Sequence, residues 1–264
     1  MILVTGAKGF IGKNLIKHIQ AKYPNEFVVT TDIDTYDHYQ MINDPKSVKH
    51  AYHLGAISST TETNLDRIYK YNIEASIDFF EWCIQHKIPV SYASSASVYG
   101  NVPGHINPLN YYAMSKATID MWVNDNIERF LLVRGYRFFN VYGNGEDLKG
   151  SQASPIYQFT QQAKKTGEIV IFEKEGNGRR DFICVDDVCR VLLEDDRPSG
   201  IYDVGTSKTY TFSQVADIIA EKYNVKVRVG PFPEHLRGKY QFYTCADVPL
   251  ANAITIEQYL KLFN

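Results

Sequence analysis

The chain has 264 residues, a net charge of −2, and 44% hydrophobic and 22% charged residues. That length suits one large domain or two small ones sharing a core. A charge near zero with no basic block argues against nucleic-acid binding, while leaving single phosphates within reach of local Lys and Arg.

No apolar run reaches the roughly 18 residues of a membrane span, so no membrane partner is expected. Met1-Ile2-Leu3-Val4 runs straight into a glycine loop and leaves no room for a signal peptide. Cys83, Cys184, Cys189 and Cys245 form no close Cys-x-x-Cys pair. Reduced thiols, no metal site and a cytoplasmic protein are the resulting expectations.

Ile2-Leu3-Val4 reads as a short buried strand, and Gly6-x-x-Gly9-x-x-Gly12 then leads into a helical pattern to about Lys22. Glycines at that spacing permit a tight turn and bring pyrophosphate close to backbone N–H groups at a helix N-terminus. Phe27 to Thr31 is a second strand, and Asp32 ends it twenty residues beyond Gly12, where an acid meets the adenosine ribose. Asp32 and Asp34 together would repel a 2′-phosphate, and no Lys or Arg follows before Lys46, so the local residues favour NAD over NADP.

Only a short polar piece separates this strand from Ala51-Tyr52-His53-Leu54, so this part of the sheet is expected to be trimmed. His53 reads as a packed core histidine. Gly55-Ala56-Ile57 lets the backbone approach a cofactor, and Ser58 to Thr61 supplies hydroxyls at a strand's C-terminal end. A helix is expected from Asn64 to about Gln85. Asn72 within it either caps a local network or orients a catalytic water or tyrosine.

Pro89 to Ala93 is the next strand, followed by the serines of Ser94-Ser95-Ala96-Ser97, which cap the turn or hydrogen-bond a reacting hydroxyl. From Tyr111 an apolar-periodic helix runs to Glu128 and carries Tyr112 and Lys116 on one face. A cation beside a phenol favours the phenolate, so the pair is expected to pull the Tyr112 pKa towards neutrality and make it a general base. Leu131 to Phe139 is a further strand. The alternation of strand and helix argues α/β, a Rossmann-type doubly wound parallel sheet.

Beyond Gly143 the texture changes. A polar loop carries Lys149-Gly150-Ser151, and a helix to about Lys165 and a strand near Ile169–Phe172 follow. Gly176 to Phe182 reads as a turn whose Arg179 and Arg180 suit diphosphate oxygens. Residues 184 to 204 read as helix and strand, and Phe212 to Tyr223 as a further helix. Arg237, Lys239 and Tyr240 read as a candidate phosphate and base platform. The expected division places 1–143 and 181–208 in a dinucleotide-binding domain, with 144–180 and 209–264 in a small α/β substrate-binding domain.

These motifs resemble the extended short-chain dehydrogenase/reductase family: Thr5-Gly6-x-x-Gly9-x-x-Gly12, Tyr112-x-x-x-Lys116 with an upstream serine, and Arg180-Asp181-Phe182 before Val185-Asp186-Asp187-Val188. Within it, the chain is similar to the ADP-L-glycero-D-manno-heptose 6-epimerases through Gly55 to Glu62, Arg137 to Gly143, Lys149-Gly150-Ser151-x-Ala153-Ser154, and Pro231 through Gln241. The resemblance implies inversion at one carbon of a nucleotide-diphosphate heptose by transient oxidation to a ketone. The alternatives are a 4-epimerase or 4,6-dehydratase on another nucleotide sugar, or a catalytically inactive cofactor-binding protein.

By the resemblance Tyr112 is one acid/base, Lys116 lowers its pKa and holds the ribose, and Ser95 hydrogen-bonds the hydroxyl. Lys149 is the second acid/base, because inversion needs proton transfer at two faces. Cofactor contacts map to Gly6, Gly9, Phe10, Ile11, Gly12, Asp32, Ile33, Leu54, Gly55, Ala56, Ser58, Asn72, Lys116 and Val141. Substrate contacts map to Ser58, Ser95, Asn140, Lys149, Ser151, Gln158, Phe172, Arg180 and Tyr240. Gln158 stands where the family carries a histidine. The resemblance implies NADP, while Asp32 and Asp34 leave NAD possible, and a homo-oligomer is expected.

Overall fold

The computed structural model describes residues 1–102, 104–173, 178–232 and 241–262. The expected platform of Arg237, Lys239 and Tyr240, and Gly176 and Asn177 of the expected turn, lie outside the described residues.

The first half of the chain runs β1 (Ile2–Thr5), α1 (Phe10–Lys22), β2 (Val28–Thr31), β3 (His50–His53), α2 (Leu65–Ile68), a π-helical turn (Tyr69–Glu74), α3 (Ala75–His86), β4 (Val90–Ser95) and α4 (Tyr111–Asp125). There follow β5 (Val133–Phe138), β6 (Asn140–Tyr142), α5 (Pro155–Thr166), β7 (Glu168–Phe172), β8 (Arg179–Cys184), α6 (Val185–Glu194) and β9 (Gly200–Val204). The last elements are β10 (Thr209–Thr211), α7 (Phe212–Tyr223), β11 (Lys226–Gly230), β12 (Tyr243–Thr244) and α8 (Ile256–Leu262).

The central sheet has the order β2-β1-β3-β4-β5-β9, and every pairing in it is parallel. Alternation along the strands covers both faces. Ile2, Val4 and Tyr52 pack with Phe10, Leu15 and Ile19 of α1 and Val188 and Leu192 of α6. Leu3, Ala51 and Val90 turn the other way, against Phe79 and Phe80 of α3 and Ile119 and Val123 of α4. Between β2 and β3 stand three short 3-10 turns, Ile33–Thr35, His38–Met41 and Pro45–Ser47, so the sheet is trimmed there as the short polar connection required.

A second core gathers Ile156 and Phe159 of α5, Ile169 and Ile171 of β7, Val215 and Ile219 of α7, and Ile256 and Leu260 of α8. Here β8 pairs with β6, β10 and β12, while β7 pairs with β11. The small sheet thus takes β6 from before the expected boundary at 143, and its β8 runs across the one at 181.

The helix expected from Asn64 to Gln85 is present, running without a gap from Leu65 to His86 with a π-helical turn over Tyr69–Glu74. One local expectation is corrected. The turn expected through Phe182 is strand β8 from Arg179 onward. The pleat sends its neighbouring arginines apart: Arg179 is exposed and donates to Thr209 Oγ1 at 3.2 Å, while Arg180 is buried with its guanidinium over the Phe212 ring.

Candidate active site

The C-terminal ends of β1, β3 and β4 and the strand β6 border a cleft of about 620 Å³, the place where open α/β sheets bind ligands. A smaller cavity of about 130 Å³ adjoins it past Gly6, Gly9, Leu54 and Ala56, and reaches Asp32, Ile33 and Gly55. Together they form one trough from the ribose acid to the Tyr-Lys helix.

The glycine loop is built for close approach. Gly6 has φ +67°, and a Cβ there would stand 2.6 Å from the Gly55 nitrogen. A Cβ on Gly12 would stand 2.2 Å from the Gly6 carbonyl oxygen. The N-terminus of α1 carries no side-chain cap, so its first N–H groups remain for an anion. The residues present fit a dinucleotide. Asp32 is fixed by backbone donors, accepting from the N–H of Lys8 and of Ile33, both at 2.8 Å. Looking only beyond Asp32 for cations missed Lys8 of the glycine loop, whose ammonium pairs with Asp34 at 3.2 Å.

At the other end, Asn110 caps α4 by accepting from the Ala113 N–H at 2.9 Å. Lys116 is buried and donates from Nζ to the Ala93 carbonyl on β4 at 2.7 Å. Ser95, two residues further on, accepts from the Ser97 N–H at 3.1 Å and interacts with the Tyr112 phenol. Burial pushes the Tyr112 pKa up, the Ser95 contact works against this, and the Asp120 charge adds to it. Burial likewise draws Lys116 down to about 8, with Asp120 opposing. The expectation that Lys116 pulls Tyr112 towards neutrality is therefore corrected. Desolvation is the largest cause at each group and disfavours both charged forms.

Behind this pair lies a buried polar network. Asp120 accepts from Tyr92 Oη, Ser94 Oγ and Arg137 Nε at 2.9, 2.9 and 2.8 Å. Asn72, in the π-helical turn, accepts from the Ile57 N–H and donates to the Ile57 carbonyl and to Ser115 Oγ, at 2.7, 3.0 and 3.0 Å. It does not line the trough. Of its two readings the structure favours the network, tying the Leu54–Ile57 segment to α4. His53 is the packed histidine anticipated. Because Ser76 Oγ donates to the Asn72 carbonyl, His53 Nε2 donates to Ser76, and His53 Nδ1 accepts from Thr5 Oγ1, which in turn accepts from the Gly55 N–H.

The cleft brings together Gly6, Gly9, Phe10, Ile11, Gly12, Leu54, Ala56, Ser58, Ser95, Tyr112, Lys116, Asn140, Val141 and Lys149. Lys149 enters from the loop after β6, with Nζ 5.0 Å from the centre of the Phe10 ring and 3.6 Å from a Glu146 oxygen. Burial lowers its pKa and Glu146 raises it. Asn14 holds this loop to α1, donating to the carbonyls of Phe10 and Asn144 at 2.9 Å each.

Three expected substrate contacts are not brought to the cleft lining. Gln158 is exposed and donates to the Ala153 carbonyl, Phe172 packs edge-on to Phe232, and Arg180 is buried in the small sheet. The Ser151 side chain and Tyr240 lie outside the described residues. Gln152, Gln241 and Thr244 line the cleft although nothing in their spacing signalled it. Glu146 was also missed; its only signal was an acid three residues before Lys149, which in a polar loop reads as solvated. Among the described residues no His, Cys, Asp and Glu cluster could hold a metal ion, and no helix is long and apolar enough to cross a membrane.

Residues 2–205 match the model of the NAD dependent epimerase/dehydratase family. The chain belongs to that family. It is 35% identical to the ADP-L-glycero-D-manno-heptose-6-epimerase of Alkalilimnicola ehrlichii, over 94% of this chain and 89% of the relative. The solved Helicobacter pylori enzyme of the same name matches with TM-score 0.81 at 28% identity, over 99% of this chain and 94% of that one. MoeE5, solved in complex with UDP-glucose and NAD, matches with TM-score 0.77 at 25% identity, over 94% and 89%. A nicotinamide-dependent epimerase/dehydratase fold with a parallel Rossmann-type sheet is thus established for this chain.

Proposed function

We propose that the protein epimerises ADP-D-glycero-D-manno-heptose to ADP-L-glycero-D-manno-heptose, using Tyr112 and Lys149 as its two acid/bases. The observation that carries this reading is the presence of both side chains in one cleft, on separate elements, beside a glycine loop that fits a dinucleotide. The names of relatives matched over nearly the whole chain support the substrate.

A nicotinamide dinucleotide held along the trough by the glycine loop, Asp32 and Lys116 supplies reversible oxidation at the carbon being inverted. The chain's own residues supply the rest. Tyr112 Oη moves the proton of the substrate hydroxyl, and Ser95 Oγ holds that hydroxyl in line. Lys149 Nζ, its pKa lowered by burial, exchanges the proton required at the opposite face. Lys116, anchored on Ala93, orients the ribose and keeps a cationic donor beside the phenol.

For the dinucleotide itself, Asp32 and Asp34 support NAD. Lys8 supports the second reading, NADP, because its ion pair with Asp34 is 70% and 74% exposed and easily exchanged for a 2′-phosphate. Incubating ADP-D-glycero-D-manno-heptose with the protein and either dinucleotide, and following the sugar by NMR, tests the function. An unchanged sugar with both cofactors sinks it.

A further inference from the structure

Glu146 is 1% exposed in a polar loop, and the Tyr-x-x-x-Lys pair gives it no role. One of its oxygens accepts from the Gly143 N–H at 3.0 Å and from Ser154 Oγ at 2.8 Å. The other accepts from the Ser154 N–H at 2.6 Å and faces Lys149 Nζ at 3.6 Å. Both oxygens accept from the loop, which an amide with its single acceptor oxygen does not reproduce. The second oxygen also meets the ammonium, so the carboxylate does more than staple the loop.

We infer that Glu146 is the positioning residue of Lys149: anchored at both ends of the loop, its charge holds the ammonium against the Phe10 ring in the cleft and sets its affinity for a proton. The lysine sits between an aromatic face and an anion, two partners that each favour its cationic form. Burial works the other way, and a side-chain exposure of 26% leaves Lys149 reachable from the cleft.

The surrounding groups leave Glu146 as the anion that acts. Lys8 of the glycine loop and Tyr112 and Lys116 of α4 are the other titratable side chains lining the cleft. Tyr259 of α8 stands near Glu146 on the other side, and Asp147 is exposed. Glu146 offsets the desolvation of Lys149, so that the amine neither stays protonated throughout nor loses its proton too early. This inference rests on Lys149 as second acid/base only for its catalytic consequence; the hold of Glu146 on Lys149 is a separate physical claim.

The test follows the proton affinity of Lys149 directly. Trace labelling of the full-length protein with acetic anhydride over about pH 6 to 11, read by mass spectrometry at the Lys149 peptide, reports the free amine. Glu146→Gln is expected to lower the apparent pKa of Lys149 by on the order of one pH unit, or tenfold in proton affinity. It should move in the same direction whichever limb of the kcat/KM profile Lys149→Ala abolishes.

Glu146→Asp, which keeps the charge but draws it back, should give a smaller shift the same way, and it serves if the glutamine variant does not fold. An unchanged Lys149 pKa in a folded Glu146 variant overturns the inference. Full epimerisation by Lys149→Ala instead removes the second acid/base reading, while a Lys149 shift in the Glu146 variants still upholds the positioning claim.

Discussion

Lys116 Nζ donates to the Ala93 carbonyl at 2.7 Å, two residues before Ser95 on the same strand. The lysine, serine and tyrosine are thereby set by one strand end and one helix turn, and none depends on a mobile surface contact. Tyr112→Phe removes the phenolic proton and keeps the ring. It should lower kcat by about 10²- to 10⁴-fold and leave dinucleotide affinity within a few-fold, by steady-state kinetics and fluorescence titration. Loss of dinucleotide binding to match the loss of kcat would show that Tyr112 is a binding residue instead.

Asp120 offers a stability test of the same region. Its carboxylate is the shared acceptor of Tyr92, Ser94 and Arg137, with side-chain exposures of 4% for Asp120 and 19% for Arg137. Asp120→Ala leaves a largely buried guanidinium without its ion partner and should cost about 3–5 kcal/mol in denaturant unfolding. A change below about 1 kcal/mol would mean that water, together with Tyr99 Oη, which already accepts from the Arg137 guanidinium at 2.8 Å, satisfies the cation without Asp120.

Asn72→Leu keeps volume and removes three hydrogen bonds to Ile57 and Ser115. Each buried group left unpaired costs roughly 1–3 kcal/mol. The Leu54–Ile57 segment lines the trough, so dinucleotide affinity should fall by about tenfold or more as that segment loosens. Unchanged affinity alongside lowered stability would confine Asn72 to the scaffold.

His53 makes acid stability predictable. Burial, with Lys116 nearby, draws its pKa from 6.5 to about 3. Between those values the unfolded chain binds a proton at His53 that the folded chain refuses, so stability falls as pH falls through this window. The contribution is on the order of 2 kcal/mol between pH 6.5 and 5. Urea unfolding of the wild type and His53→Gln at pH 7 and 5 should show the smaller pH dependence in the variant. Equal pH dependence would assign the effect elsewhere.

Much of this arrangement is legible in the residues themselves. The apolar runs of β1 and β4, the glycine spacing and the period of α4 are local signals, and the structure follows them closely. What escaped depends on long-range neighbours. Burial decides the direction of the Tyr112 pKa, and burial of that site is produced by the whole fold. Glu146 looks solvated in sequence because Ser154 and Gly143 close on it only in space. Lys8 gave no signal because it reaches Asp34 across space from the glycine loop, well before it in the chain. Arg179 and Arg180 read as a turn since glycine and asparagine precede them, whereas pairing with β10 and β12 makes them a strand. The places of Arg180 and Phe172 likewise follow from long-range strand pairing, β8 with β10 and β12 and β7 with β11, while Gln158 stands on an exposed position of α5.

The central claim is that one cleft inverts a single sugar carbon with two proton-transferring side chains. The direct measurement is the initial rate of epimer formation from ADP-D-glycero-D-manno-heptose, by NMR, for the wild type, Tyr112→Phe and Lys149→Ala in the same buffer with dinucleotide present. The account predicts conversion by the wild type and a loss of about 10²-fold or more in each variant. Conversion that survives Lys149→Ala at the wild-type rate, or no conversion by the wild type, would contradict it.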